Sequence, residues 1–232
     1  LKKNEKWGTA SEHMKPKMSI MDPEYTYSVS KKQTAAGTAD MISHIFENYF
    51  TNVSNADVQA RFAEGLLKNC FYYGPVALEH PDDYDARANL MWTSSMAING
   101  ILSDGAEVAW CVHPMEHELS AFYDITHGEG LAILTPHWME FALNEATAKK
   151  FADYGRNVWN LPMAEDDMET ARKAINCTKE FFKDMGLPST LREVGIDETY
   201  FDVMAEKAAA GCKGSYVELT KEDIVHIYEN AL

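Results

Sequence analysis

Apolar residues recur at helical spacing along the chain from Gln33 onward, and Gly, Pro and Asp turns separate the segments. Because residues three and four positions apart share one face of a helix, this pattern predicts an array of about eight to nine packed helices. The predicted helices cover residues 33–50, 56–79, 83–102, 107–123, 128–143, 146–159, 166–185, 200–210 and 221–229.

Turn residues divide these segments at 81–83, 103–105 and 186–188, where Pro and Gly make it difficult for a helix to continue. A single strand is predicted, over 16–21, directly before Asp22 and Pro23. The pattern therefore predicts a mainly α fold, with strand structure confined to the first thirty residues and an all-helical domain over 31–232.

Composition narrows the function classes. The chain has 36 acidic and 21 basic residues and a formal net charge of -15, which disfavours binding to nucleic acid or to an anionic membrane. It has no apolar run near the roughly 18 residues that a membrane-spanning helix requires. The four cysteines are far apart and form no C-x-x-C pair, which favours a reducing, cytoplasmic location.

Asp40 and His44 are four residues apart in a predicted helix and therefore project from the same face. Such a pair is also common as a polar contact on a protein surface. The neighbouring Met41, Ile42 and Ile45 make this helix largely apolar, and a buried carboxylate and imidazole need partners. This context favours a functional pair.

His113 and His117 have the same spacing in another predicted helix, which is the geometry of a metal-binding helical face. The zinc-protease motif H-E-x-x-H does not fit, because Glu116 precedes the second histidine and does not follow the first. The alternative is that both histidines are polar residues that contact other helices.

His127 lies at a helix boundary, followed by Gly128 and Gly130, which allow a close neighbour. The alternative explanation is helix capping with tight helix packing. Three histidines and one carboxylate from packed helices form a set suited to zinc or ferrous iron.

In their order along the chain, these stretches resemble the iron-containing (group III) alcohol dehydrogenase family, and within it the NAD(P)H-dependent butanol dehydrogenases. The resemblance is carried by residues 19–23, 39–47, 82–90 and 113–136. It implies the helical, metal-binding carboxyl-terminal domain of the fold that this family shares with dehydroquinate synthase. It also implies that residues 1–30 are the end of an α/β nucleotide-binding domain, the rest of which is absent from this chain.

The resemblance assigns roles to individual residues. The family's metal ligands fall on Asp40, His44, His113 and His127, with Fe²⁺ or Zn²⁺ as the metal. Its additional active-site histidine falls on His117, a candidate proton relay. A lysine that contacts the ribose of NAD(H) or NADP(H) falls on Lys6, and Tyr25 matches a position that lines the cofactor cleft.

The implied reaction is hydride transfer between the nicotinamide and a small primary alcohol or aldehyde, such as butanol or butanal. The resemblance further implies a homodimer or a larger homo-oligomer. Two alternatives stay open at this point. One is a dehydroquinate synthase-like or glycerol dehydrogenase-like enzyme of the same fold, and the other is a catalytically inert metal-binding fragment.

Overall fold

A computed structural model describes residues 4–6, 8–9, 11–106, 108–163 and 166–232. Leu1, where the predicted amino-terminal domain begins, and Glu107, where one predicted helix begins, lie outside these ranges. Within them the regular structure consists of nine α-helices and several short 3-10 turns. The helices are α1 (Lys31–Tyr49), α2 (Asp57–Glu79), α3 (Tyr84–Ile98), α4 (Val112–Tyr123), α5 (His127–Ala142), α6 (Ala148–Trp159), α7 (Asp167–Asp184), α8 (Phe201–Ala209) and α9 (Lys221–Asn230).

Polar side chains define several helix starts. Ser30 accepts a hydrogen bond from the backbone amide of Gln33 at the start of α1, and Asp83 accepts one from Ala86 at the start of α3. Each bond satisfies an amide that lacks a partner within its helix. The turn after α7 contains Gly186 with φ +75, a left-handed conformation that glycine adopts without strain. The predicted chain reversals at 81–83 and 186–188 are confirmed.

Helix α1 is the central element of the array. It packs against α2, α3, α4 and α5, while α5 also contacts α7 and α9. Its inner face contributes Phe46 and Tyr49 to an aromatic core that includes Trp138 and Tyr154, and Phe50, directly after the helix, joins the same core. This packing brings the middle of α1 against the first turns of α4 and α5, where the predicted metal ligands lie. None of the described helices combines the length and hydropathy needed to cross a bilayer.

The predicted strand is wrong. Residues 16–21 form no strand, and Met18 and Ile20 are 79% and 87% exposed. A strand requires a neighbouring strand for its backbone hydrogen bonds, and no described residue pairs with this stretch. The mainly α fold is confirmed, with no strand in the described part of the chain.

Two helices differ from their predicted bounds. α3 ends at Ile98, because Gly100 takes φ +97 and turns the chain before residue 102. α4 begins only at Val112, since the amides of Cys111 and Val112 donate to the Glu47 carboxylate on α1. That contact is tertiary and has no counterpart in the local apolar pattern.

Candidate metal centre

Helix α1 contributes a carboxylate and an imidazole to one site. Asp40 and His44 are one helical turn apart, and the Nε2 atom of His44 lies 3.4 Å from the Oδ1 atom of Asp40. Both side chains are partly buried, on the face of α1 that points toward α4 and α5. The predicted same-face arrangement of this pair is therefore present.

Helices α4 and α5 contribute the other two histidines. The Nε2 atoms of His113 and His127 lie 3.5 and 3.6 Å from the same Oδ1 atom of Asp40. His113 lies in the first turn of α4, and His127 is the first residue of α5. One carboxylate oxygen thus faces three imidazole nitrogens that come from three helices.

These four residues fit a metal ion. The buried Oδ1 of Asp40 and Nε2 of His113 have no hydrogen-bond partner among the described residues. Metal–ligand bonds of about 2.1 Å at tetrahedral angles place ligand atoms about 3.4 Å apart, close to the distances from Asp40 to the three histidines. The ligand atoms of Asp40, His44 and His113 lie within 4.8 Å of one another, and His127 joins this group through its distance to Asp40. Buried polar atoms without partners are costly, so a cation bound between them would satisfy both.

Two buried glutamates contact two of the histidines at Nδ1, the ring nitrogen that does not face Asp40. Glu47 contacts Nδ1 of His113, and Glu116 contacts Nδ1 of His127. A carboxylate that accepts from Nδ1 leaves the lone pair of the ring on Nε2, which is the atom that faces Asp40. Neither role was predicted from the sequence. The spacing of Asp40, His44 and Glu47 along one helical face was the available indication for the first.

His117 lies beside this cluster. Its ring centroid is 5.5 Å from that of His127 and 6.1 Å from that of His113. Glu116, His117 and His127 also form a second group whose potential ligand atoms lie within 4.8 Å of one another. The structure therefore places His117 next to the predicted ligands, one helical turn beyond His113.

The two predicted cofactor residues lie in different places. The Nζ atom of Lys6 lies 3.2 Å from Oε2 of Glu116 and 3.0 Å from Nδ1 of His127, so Lys6 reaches the candidate metal centre. Tyr25 is 83% exposed in the short turn Pro23–Thr26, which packs near α3. No described contact joins Tyr25 to the centre.

An aromatic side chain borders the site. The Trp110 ring lies 4.9 Å from the His44 ring and 4.8 Å from the His113 ring, measured between centroids. Trp110 lies outside every motif recognised in the sequence. Its indole gives the site an apolar wall beside His44 and His113.

The electrostatics favour ligand-competent protonation states for three of these groups. Burial, together with the nearby His113, lowers the pKa of His44 to about 4. Burial and the Lys6 ammonium lower the pKa of His117 to about 4. Burial raises the pKa of Asp40, but the contact with His113 and the other nearby histidines outweigh it and lower this pKa. Near pH 7 these groups are neutral imidazoles and a carboxylate, the forms that bind metals.

The pKa of His113 is shifted in the opposite direction to those of His44 and His117. Burial lowers its pKa, but the contacts with the Asp40 and Glu47 carboxylates outweigh burial and raise the pKa to about 9. A cation held by these residues would replace a proton on Nε2 of His113.

The fold is a helical domain, and one aspartate and three histidines from its helices form a candidate site for a divalent metal. The chain belongs to the iron-containing alcohol dehydrogenase family, since residues 34–232 match the family described as "Fe-containing alcohol dehydrogenase family, C-terminal". Family membership and the helical carboxyl-terminal fold, both predicted from the sequence, are confirmed.

Individual relatives agree with this assignment. NADH-dependent butanol dehydrogenase A of Clostridium acetobutylicum is 53% identical over 98% of this chain and 59% of its own length. The crystal structure of NADH-dependent butanol dehydrogenase A from Thermotoga maritima is 34% identical, with a TM-score of 0.89 over 98% of this chain and 59% of that one. The aldehyde reductase YqhD from E. coli is 33% identical, with a TM-score of 0.88 over 96% and 59% of the two chains. This chain thus spans less than two thirds of the length of these relatives.

Proposed function

We propose that this chain carries the divalent-metal centre of an NAD(P)H-dependent alcohol dehydrogenase or aldehyde reductase. The observation that carries the proposal is the convergence of the Asp40 carboxylate with the Nε2 atoms of three histidines at 3.4 to 3.6 Å. These four residues would hold Fe²⁺ or Zn²⁺, since both ions accept imidazole nitrogen and carboxylate oxygen.

The bound ion supplies Lewis-acid polarisation of the substrate oxygen during hydride transfer. The protein holds the ion through Asp40 and the histidines, and Trp110 lines one side of the site with an apolar ring. His117 is a neutral imidazole near pH 7 and half-buried next to His127. It can accept the hydroxyl proton when an alcohol is oxidised, and pass a proton to the substrate oxygen when hydride reduces an aldehyde to an alcohol.

The substrate class is a small primary alcohol or aldehyde, such as butanol or butanal. The printed names of the relatives, butanol dehydrogenase and aldehyde reductase, support it. They give less support to the dehydroquinate synthase-like and glycerol dehydrogenase-like alternatives. The nicotinamide cofactor is NAD(H) or NADP(H). Two of the relatives are named as NADH-dependent enzymes, which favours NAD(H).

Further parts of the proposal concern cofactor contacts, organisation and assembly. Lys6 as a cofactor contact is supported by its position at the centre, while the same role for Tyr25 rests on the sequence resemblance alone.

The division of the chain near residue 31 is supported by a family match that begins at residue 34. A homodimer or larger assembly and a cytoplasmic location stay predictions; light scattering of the purified protein tests the first.

Metal analysis of anaerobically purified protein tests the proposal. We expect about one iron or zinc ion per chain, as one aspartate and three histidines form one site. The double variant Asp40→Ala, His44→Ala should lose the ion. The control variant Asp153→Ala, Lys149→Ala removes an ion pair with the same four-residue spacing on α6 and should retain it.

Two results would count against parts of the proposal. Wild-type protein that binds neither ion, when both are supplied, contradicts the metal centre. Metal binding without consumption of NADH or NADPH in the presence of butanal contradicts catalysis by this chain and favours the inert metal-binding alternative.

A further inference from the structure

Glu47 is a buried carboxylate on the same face of α1 as the candidate ligands. It follows His44 by three residues and Asp40 by seven, and only 4% of it is exposed. A carboxylate in such a position costs free energy unless hydrogen bonds satisfy it. Its partners therefore show what the residue does in the fold.

One oxygen of Glu47 binds the start of α4. Oε1 accepts from the backbone amides of Cys111 and Val112, both at 2.7 Å, and from that of His113 at 3.3 Å. Cys111, the residue at the amino-terminal cap of α4, makes no side-chain capping bond of its own. The carboxylate of α1 thus takes the place of a local cap, and its charge is favourable at the positive end of the helix.

The other oxygen of Glu47 binds the imidazole of His113. Oε2 contacts Nδ1, and an ionised carboxylate can only accept, so Nδ1 carries the proton. The lone pair of the ring is then on Nε2, which faces Asp40. In His44, by contrast, the buried Nδ1 has no partner among the described residues.

We propose that Glu47 is a positioning residue for the metal centre, which sets the tautomer and orientation of His113 and fixes the start of α4 relative to α1. The inference rests on the proposed function, since it concerns metal binding by the same site. Glu47 is not one of the residues that would hold the ion, because its two oxygens contact the start of α4 and the His113 ring. It acts through the ring that it holds.

The variant Glu47→Gln separates the two oxygens of the side chain. Glutamine retains one oxygen for the amides of α4, but its amide nitrogen is a donor and would face the donor Nδ1–H of His113. We expect zinc affinity, measured by competition with a chromophoric chelator, to fall about 10- to 100-fold, the usual cost of losing a group that orients a ligand. The absorption spectrum of the Co²⁺-loaded protein should also change, because the coordination geometry changes.

Glu64→Gln is the matched control. Glu64 is 5% exposed on α2 and accepts from Tyr49 and Asn157, away from the centre. This variant loses a buried carboxylate as well, yet its zinc affinity and Co²⁺ spectrum should equal those of the wild type. A second variant, Glu47→Asp, retains the charge with a shorter reach; affinity below that of the wild type would show that the position of the oxygen matters beyond its charge.

The experiment distinguishes failure of the positioning role of Glu47 from failure of the proposed metal centre. Zinc binding by Glu47→Gln equal to the wild type, with an unchanged Co²⁺ spectrum, would overturn the positioning role and leave the proposed metal centre intact. Failure of the wild type itself to bind zinc or cobalt would overturn both. If Glu47→Gln does not fold, the nitrogen NMR shifts of His113 in the zinc-loaded wild type decide the question: a proton on Nδ1 and zinc on Nε2 support the role, and the reverse contradicts it.

Discussion

Gly128 on α5 lies so close to α1 that a Cβ atom on it would be 2.0 Å from the carbonyl oxygen of Ala36. Gly128 directly follows the candidate ligand His127, and Ala36 lies one turn before Asp40. The contact therefore sets the distance between two predicted ligands from different helices. Glycine is required here for close approach of the two backbones, which agrees with the tight helix packing that Gly128 predicts in the sequence.

Gly128→Ala should separate α1 from α5. We expect the free energy of unfolding to fall by about 1–3 kcal/mol from overpacking, with weaker zinc binding because His127 moves away from Asp40. Chemical denaturation and zinc titration measure the two effects. The control is Gly65→Ala, in an exposed position of α2 with open space around it, which should raise stability by about 0.5–1 kcal/mol. Equal behaviour of the two variants would contradict the spacing role.

One of the four cysteine thiols should react faster with an alkylating reagent than the other three. Burial raises the pKa of Cys70 and of Cys212 to about 12 and that of Cys111 well above its usual value. Cys177 on α7 is half-buried and its pKa is raised by burial as well. Because both thiolate formation and access govern alkylation, Cys177 should react first in the native protein at pH 8.

Mass spectrometry after brief alkylation tests this order. All four cysteines should be modified in denaturant, and only Cys177 in the native protein. Cys177→Ser should abolish the fast native reaction. Rapid labelling of Cys70 or Cys212 in the native state would show that the core around them opens more readily than the packing indicates.

His137 should make the fold sensitive to acid. Burial lowers its pKa, as does the Lys179 ammonium, while the Glu140 carboxylate opposes the change. In the unfolded chain His137 takes up a proton below about pH 6.5, while in the folded chain it resists protonation, so its contribution to stability is lost as the pH falls below that value. Each unit of pKa lowering corresponds to about 1.4 kcal/mol.

The comparison is between wild type and His137→Gln, each unfolded with urea at pH 7.5 and at pH 5. The variant should lose less stability between the two pH values, and the difference isolates His137 from the other titrating groups. An equal loss in both proteins would contradict the burial effect.

Several features of the fold were accessible from the sequence alone. Apolar spacing and turn residues located the helices, and most predicted ends agree with the structure within a few residues, as for α2 at Glu79 and α6 at Trp159. Local spacing also placed Asp40 with His44 and His113 with His117 on single helical faces. These successes share one physical cause, because helix periodicity and capping depend on residues close together in the chain.

Contacts between distant segments required the tertiary structure. The roles of Glu47 and Glu116 behind the histidines, the Trp110 wall, and the late start of α4 all depend on groups brought together by packing of α1 against α4 and α5. The strand expected at 16–21 failed for the same reason, since strand propensity has no effect without a neighbour to pair with. Sequence alone thus determined the helices and, with the family resemblance, the candidate ligands; only the tertiary structure decided how those ligands are oriented, because hydrogen bonds between helices are invisible to local spacing.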